Sequence, residues 1–245
     1  MKHIITTGCS FSDPTYVTDN WVNFLEKNYP EHKFYHYGAC AMGNDHICKT
    51  VLAGVKTLLD GGVSNKDIFV IASWSGIARR EVLLTPYETF RGLEIGSTLP
   101  TEDKDLAKVP FGQHCIDSFE MILLTQMYLQ KYKIDYKFLT YMNIFHKKVW
   151  DENGQPEWDM LRDDQVSGKF NEVFLWEEFP NLKYLSELID WSDDKWWNYK
   201  GGGILEWVRD NCKDGFDGPF DSGHPIKSSH KKFAKMVANT WLKNL

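Results

Sequence analysis

The stretch Ile4-Ile5-Thr6-Thr7-Gly8-Cys9-Ser10-Phe11-Ser12-Asp13 lies near the start of the chain, and the rest of the fold is organised around it. Its first half is a β-branched, apolar run that is typical of a buried strand. Gly8 then allows a tight turn, and Ser10 follows at that turn. A serine just past a core strand holds its oxygen on a rigid support, which suits a nucleophile if a base can reach it. The same residues also fit a plain serine-rich turn in which Ser12 or Asp13 caps a helix.

The other end of the chain carries Asp221-Ser222-Gly223-His224-Pro225, followed by a helix-like run to Leu245. An aspartate three residues before a histidine can hold the imidazole in one tautomer while the other ring nitrogen faces a serine. Each motif alone is common, but the two together indicate a Ser-His-Asp arrangement built from Ser10, His224 and Asp221.

With both motifs in view, the sequence resembles the SGNH/GDSL hydrolase family. That family has a Gly-Asp-Ser-like block after its first strand and an Asp-x-x-His-Pro block before its last helix. The closing block matches at Asp221, His224 and Pro225, whereas the opening block matches at Gly8 and Ser10 but carries Cys9 in place of aspartate. The resemblance implies a flavodoxin-like three-layer α/β/α sandwich with a parallel sheet.

The alternation of elements points to the same class of fold. Strand-like runs at Lys33 to Tyr37, Asp67 to Ser73 and Asp135 to Tyr141 alternate with helix-like runs at Trp21 to Tyr29, Asp45 to Asp60 and Cys115 to Tyr132. Such a pattern predicts a parallel sheet covered by helices on both faces. Ligands bind at the carboxyl ends of such strands, so the residues after each strand should share one rim.

Composition limits the classes of function. The chain has 245 residues, of which 42% are hydrophobic; this length suits two domains equally well, but one α/β domain with an insertion, over 1–245, is expected. A net charge of -6 argues against nucleic-acid binding, and no apolar run is long enough to span a membrane. The chain enters its first strand without a signal peptide, and its five cysteines are odd in number and scattered, so a cytoplasmic protein with reduced thiols is expected. Oligomeric state is not readable.

The family's second and third blocks supply the oxyanion hole. Gly43 fits the second block, so backbone N–H groups of Ser10 and Gly43 are expected to face the developing oxyanion, with Asn44 as an added donor. The third block normally contains an asparagine, but here Ser75 takes its position in Ser73-Trp74-Ser75-Gly76. Either Ser75 replaces that asparagine, Asn44 substitutes for it, or activity is reduced.

Residues after the third strand are candidates for substrate binding. Trp74, Arg79 and Arg80 are expected near the rim, where the arginines could hold an anionic group by bidentate contacts. The alternative for at least one arginine is a surface ion pair with Glu81.

The segment 145–216 breaks the strand–helix rhythm and carries seven of the ten tryptophans, at positions 150, 158, 176, 191, 196, 197 and 207. Two interpretations stay open: a lid over the rim that grips sugar rings, or an insertion packed into the core. Neither metal-ligand spacing nor a nucleotide-binding glycine motif is present, so no metal and no cofactor is expected.

These features together predict a serine esterase that hydrolyses an O-acyl ester, most simply O-acetyl, on a carbohydrate or other small molecule. Two alternatives remain: an acyltransferase with the same triad, or a catalytically silent binding or structural protein that kept the fold.

Overall fold

A four-stranded parallel sheet forms the centre of the computed structural model. The model describes residues 1–17, 19–77, 79, 81–85, 88–100, 111–145, 180–199, 202–217 and 224–243. The strands are β1 His3–Thr7, β2 Lys33–His36, β3 Ile68–Trp74, β4 Glu81–Thr85, β5 Ser97–Pro100 and β6 Asp135–Thr140. The sheet has the order β2-β1-β3-β6, and β4 and β5 form a separate antiparallel pair.

Strand β1 lies inside the sheet, so its carboxyl end is at the centre of the rim. Ile5 pairs with Tyr35 of β2 on one side and with Val70 of β3 on the other. All seven residues of β3 are buried, as expected for a strand covered on both faces. Because the four strands are parallel, the loops after β1, β2, β3 and β6 all leave from one edge.

Helices flank the sheet in two groups. They are α1 Trp21–Asn28, α2 Asn44–Asp60, α3 Phe111–Lys131, α4 Pro180–Leu188, α5 Ile204–Asn211 and α6 Lys227–Val237. Helix α2 packs on α3 and α3 on α4, while α1 and α5 both pack on α6. The predicted three-layer α/β/α sandwich with a parallel sheet is therefore confirmed. Among the described helices, none combines the length and the hydropathy that crossing a bilayer requires.

Several predicted boundaries need adjustment. Helix α1 begins at Trp21 as predicted, and of the two candidate caps, Asp19 and Asn20, it is Asn20 whose side chain accepts hydrogen bonds from the N–H groups of Val22 and Asn23. Helix α3 begins at Phe111, four residues before the predicted start. The last helix was expected to run to Leu245, but its α-helical part ends at Val237 and continues as a π-helical turn over Ala238–Leu242.

The described part of the tryptophan-rich segment packs into the core. Trp196 forms a parallel bridge with Phe138, so this stretch extends the sheet beyond β6. The rings of Trp197 and Trp207 pack against Phe233 of α6 at centroid distances of 5.4 and 5.3 Å. Burial of these large rings stabilises the outer edge of the sheet. Three tryptophans of the segment, at 150, 158 and 176, lie outside the described residues.

Candidate active site

Ser10 begins a short 3₁₀ helix, Ser10–Ser12, directly after β1 and Gly8. Gly8 has φ +156°, and a Cβ there would lie within 3.0 Å of side-chain atoms of Ser12 and Ser73, so the turn requires glycine. Ser10 itself is only 4% exposed. The strand and this tight turn thus hold the serine hydroxyl in a fixed position at the rim.

The Ser10 hydroxyl meets the predicted histidine. Its Oγ lies 2.9 Å from Nε2 of His224, across 214 residues of sequence. This distance is within the range in which a base takes the proton of a nucleophile. Asp221 lies outside the described residues.

A second aspartate holds the backbone of His224. Asp217 Oδ1 accepts the His224 N–H at 2.6 Å, and the Asp217 N–H donates to the His224 carbonyl at 3.0 Å. Sequence reasoning missed Asp217, because an aspartate seven residues before a histidine matches no motif. Burial lowers the pKa of His224, and the Asp217 carboxylate acts on that pKa in the opposite direction.

The imidazole of His224 sits in a partly buried, aromatic setting. The ring of Phe11 lies 5.1 Å from it, and so does the ring of Tyr16. Burial is the largest influence on His224 and lowers its pKa, Arg79 lowers it further, and Asp217 opposes both. The net pKa is below the ordinary value of 6.5, so the imidazole is neutral and able to accept a proton at neutral pH.

Gly43 caps the amino end of α2, where its chain approaches the loop after β3 closely. A Cβ on Gly43 would lie 2.4 Å from the carbonyl oxygen of Arg79 and 3.1 Å from the Arg79 Cβ. Only glycine fits this contact. The amino end of the 17-residue α2 therefore reaches the rim, where its dipole favours negative charge.

The Asn44 side chain ties α2 to the loop after β3 and to α3. Its Oδ1 accepts the Ser75 N–H at 2.8 Å, and its Nδ2 donates to the Ser75 carbonyl at 3.3 Å and to Ser118 Oγ at 3.1 Å. Asn44 and Ser75 are both buried. These hydrogen bonds occupy the Asn44 amide and hold the loop after β3 against α2 and α3.

The predicted substrate-binding residues fall in different places. Trp74 is fully buried and lies edge-on to Phe138 at 5.3 Å, so the prediction that it contacts substrate finds no support in its position. Arg79 lies at the rim: its Nη1 donates to Ser75 Oγ at 3.2 Å, and its guanidinium carbon is 5.4 Å from the centre of the Tyr141 ring. Arg80 lies outside the described residues.

An arginine that sequence reasoning did not single out joins the loops after β1 and β2. Arg91 donates to the carbonyls of His36 and Gly38 at 2.9 and 2.8 Å, and to Asp13 Oδ1 at 3.0 Å. Asp13 Oδ2 also accepts the Cys40 N–H at 2.9 Å. Burial raises the pKa of Asp13, but hydrogen bonds from these groups and Thr15 outweigh it, so the net pKa is lowered and the carboxylate stays charged. No local pattern marks Arg91, because its partners lie far away in sequence.

An open cavity of about 120 Å³ lies beside the rim, lined by Asn44, Asp45, Arg79, Asp117, Ser118, Glu120 and Met121. Arg79 and Asn44 connect it to the residues around Ser10. Its lining is mostly polar and acidic. Within the part of the chain that the structure describes, no three histidine, cysteine, aspartate or glutamate side chains converge to hold a metal ion.

Comparisons with known proteins agree at the level of the fold. No protein-family model matches the sequence, and no curated protein matches it. Among the solved structures that match, a lipolytic protein of the G-D-S-L family from Veillonella parvula has 12% sequence identity and a TM-score of 0.50, with 99% of this chain and 100% of that chain covered. The psychrotrophic esterase EstA from Pseudoalteromonas sp., in a structure inhibited by monoethylphosphonate, has 10% identity and a TM-score of 0.51, with both chains fully covered. The chain therefore has an SGNH/GDSL hydrolase-like fold.

Proposed function

We propose that this protein is a serine esterase that hydrolyses an O-acyl ester through Ser10, His224 and Asp221. The observation that carries the proposal is the 2.9 Å contact between Ser10 Oγ and His224 Nε2 at the carboxyl rim of a parallel sheet. Similar folds occur in an esterase and in a lipolytic G-D-S-L protein, which agrees with ester hydrolysis as the general activity.

In the proposed reaction, Ser10 Oγ attacks the acyl carbon while its proton passes to His224 Nε2. The carbonyl electron pair moves onto the oxygen, and the tetrahedral intermediate then collapses with release of the alcohol, which receives the proton from His224. Water, activated by the same imidazole, cleaves the acyl-enzyme and frees the acid. Asp221 orients the imidazole, as a triad carboxylate does.

The developing oxyanion needs hydrogen-bond donors in a water-poor site. Backbone N–H groups of Ser10 and Gly43 serve this role in the proposal, aided by the dipole at the amino end of α2. Asn44 and Ser75 bond to one another, so they act here by holding the rim in shape.

The finer substrate assignment is an O-acetyl ester of a hydroxyl-rich alcohol such as a carbohydrate. The cavity beside Arg79 supports it, since the carboxylates of Asp45, Asp117 and Glu120 offer hydrogen-bond acceptors for hydroxyl groups. The lid expected within 145–216 has no support among the described residues, where Trp196, Trp197 and Trp207 pack against the core.

The decisive experiment combines a general ester with a covalent probe. Hydrolysis of p-nitrophenyl acetate and labelling by a fluorophosphonate, both lost in Ser10→Ala, would support the proposal. Analysis of products from an acetylated sugar, with and without an added sugar acceptor, separates hydrolysis from acyl transfer. A folded protein that neither cleaves any ester nor takes the label is a silent member of the fold, and the proposal fails.

A further inference from the structure

Arg79 places a charged side chain at the rim. None of the ion pairs between described residues includes it. Its guanidinium contacts the neutral hydroxyl of Ser75 and the face of Tyr141, and the Cys9 thiol lies beside it. The guanidinium is partly buried and directly contacts neutral groups, although carboxylates line the cavity beside it, so an anion that forms in the site would gain a charged partner there.

Tyr141, whose ring lies against the Arg79 guanidinium, remains neutral at physiological pH. Burial raises the pKa of Tyr141 to about 12, so its phenol carries no negative charge that could neutralise the guanidinium. Glu206, which lies near Tyr141, accepts the N–H groups of Asn143 and Gly203 instead. Arginine itself stays protonated in proteins. The rim therefore carries a permanent positive charge.

Arg79 contacts residues beside both proposed backbone donors of the oxyanion hole. The Arg79 backbone and Cβ rest against Gly43, while its guanidinium reaches Ser75 and the neighbourhood of Cys9, the residue before Ser10. Arg79 also acts electrostatically on His224, whose pKa it lowers. Arg79 thus contacts Gly43 of the second block, lies beside Cys9 of the first block, and bonds to Ser75, which stands where the third block has its asparagine.

We propose that Arg79 is a catalytic residue whose guanidinium stabilises the oxyanion of the tetrahedral intermediate, in place of the asparagine that this chain lacks. This inference rests on the proposed esterase function. When Ser10 attacks, the carbonyl electron pair moves onto oxygen next to Arg79, which donates an N–H to it and keeps its proton throughout. A charged donor in a water-poor site stabilises such an anion more strongly than a neutral amide would.

The test uses the neutral ester p-nitrophenyl acetate, because no ground-state charge then competes for Arg79. Arg79→Met should lower kcat by about 10²–10³-fold, the loss seen when one oxyanion donor is removed, with KM within about threefold of the parent. The same variant should move the acid limb of the kcat/KM profile to higher pH, because a positive charge that lowers the pKa of His224 is gone. That shift would show that the guanidinium acts on His224, whereas the loss of kcat at a nearly constant KM is the sign of oxyanion stabilisation.

Two further variants keep the test decisive. Arg209→Met removes an arginine that pairs with Asp210 away from the rim, and it should leave kcat and the pH profile unchanged. Arg79→Lys keeps the charge but loses the planar arrangement of N–H donors, so its kcat should fall by at least about tenfold. This variant replaces Arg79→Met if Arg79→Met does not fold.

The inference is overturned if Arg79→Met, or Arg79→Lys in its stead, turns over p-nitrophenyl acetate at the parental kcat. It is also overturned if only esters with an anionic acyl group, such as a succinate half-ester, lose affinity in the variant, because Arg79 would then bind substrate charge. Failure of the esterase function looks different: the parent protein itself shows no turnover and no Ser10 labelling.

Discussion

The carboxylate of Asp217 accepts the backbone N–H of His224 at 2.6 Å, and the backbone of Asp217 donates back to the His224 carbonyl at 3.0 Å. A β-bridge between Phe216 and Pro225 continues this pairing. The paired segments hold His224 against Ser10 from the backbone side. The position of the base therefore does not depend on its side-chain contacts alone.

The first prediction concerns the nucleophile and its base. Ser10→Ala and His224→Ala should each remove most turnover, because loss of either member costs on the order of 10⁶ in kcat in a well-studied serine protease. Ser12→Ala, on the same 3₁₀ turn, is the matched control and should keep activity. Steady-state kinetics with p-nitrophenyl acetate measure both, and circular dichroism checks the fold. Parental activity in Ser10→Ala on every ester tested would move the nucleophile elsewhere.

The second prediction separates the two aspartates near the histidine. Asp221→Asn should lower kcat strongly, by a factor approaching about 10⁴ as in serine proteases whose triad aspartate is replaced. Asp217→Asn should have a much smaller effect on kcat, since the amide oxygen still accepts the His224 N–H. Steady-state kinetics of the two variants, measured side by side, show which aspartate supports catalysis. The reverse order of effects would make Asp217 the third member of the triad.

The third prediction is the pH dependence of catalysis. Burial and Arg79 lower the pKa of His224, against the opposing charge of Asp217, and the neutral imidazole is the active form. The acid limb of kcat/KM should therefore have its midpoint below 6.5, the ordinary histidine value. Asp217→Asn should shift that midpoint further down, because it removes the charge that raises the pKa. A midpoint above the ordinary value would contradict the described surroundings of His224, which include His230 on α6.

The fourth prediction concerns stability through His230, which is fully buried on α6. Burial lowers its pKa to about 4, with a smaller contribution from His224. As pH falls below the unfolded value of about 6.5, the unfolded chain binds the proton first, so stability is present above that pH and is lost towards about pH 4. Between about pH 7 and 5 the loss from His230 is about 2 kcal/mol, at about 1.4 kcal/mol per pKa unit.

Urea unfolding of the parent and of His230→Leu at both pH values measures this contribution. The difference between the two pH values should be about 2 kcal/mol smaller in the variant. Buried His46, whose pKa burial also lowers to about 4, should still contribute its own pH dependence in both proteins. Equal pH dependence in parent and variant would show that His230 takes up no proton on unfolding.

The fifth prediction assigns a substrate contact to Tyr16. Its ring is 52% exposed and lies 5.1 Å from the ring of His224, so it stands at the opening of the site. Tyr16→Ala should raise KM by about 2- to 10-fold with little change in kcat, as expected for the loss of an aromatic contact of about 0.5–1.5 kcal/mol. Tyr184→Ala is the control, because Tyr184 on α4 has nearly the same exposure, 54%, and its loss should leave KM unchanged. An unchanged KM for every ester would exclude Tyr16 from the binding surface.

The sequence by itself determined the order of the main elements and the two ends of the candidate site. The fully apolar run of β3 and the cap at Asn20 are local signals, and local signals are readable because propensity and periodicity act over a few residues. Ser10 and His224 were predictable because each lies within a short motif of residue types with specific chemistry. The paired motifs also placed Gly43 at the amino end of α2.

Only the tertiary structure decided what the residues between these motifs contact. Trp74 is in the core, Asn44 binds Ser75, and the guanidinium of Arg79 lies at the rim without a carboxylate partner among the described residues. Trp196 and Trp197 extend the sheet beside β6, whereas their composition fitted a lid equally well. The physical reason is that such contacts join residues far apart in the chain. Their geometry depends on how strands and helices pack together, and no local pattern of residue types records that packing.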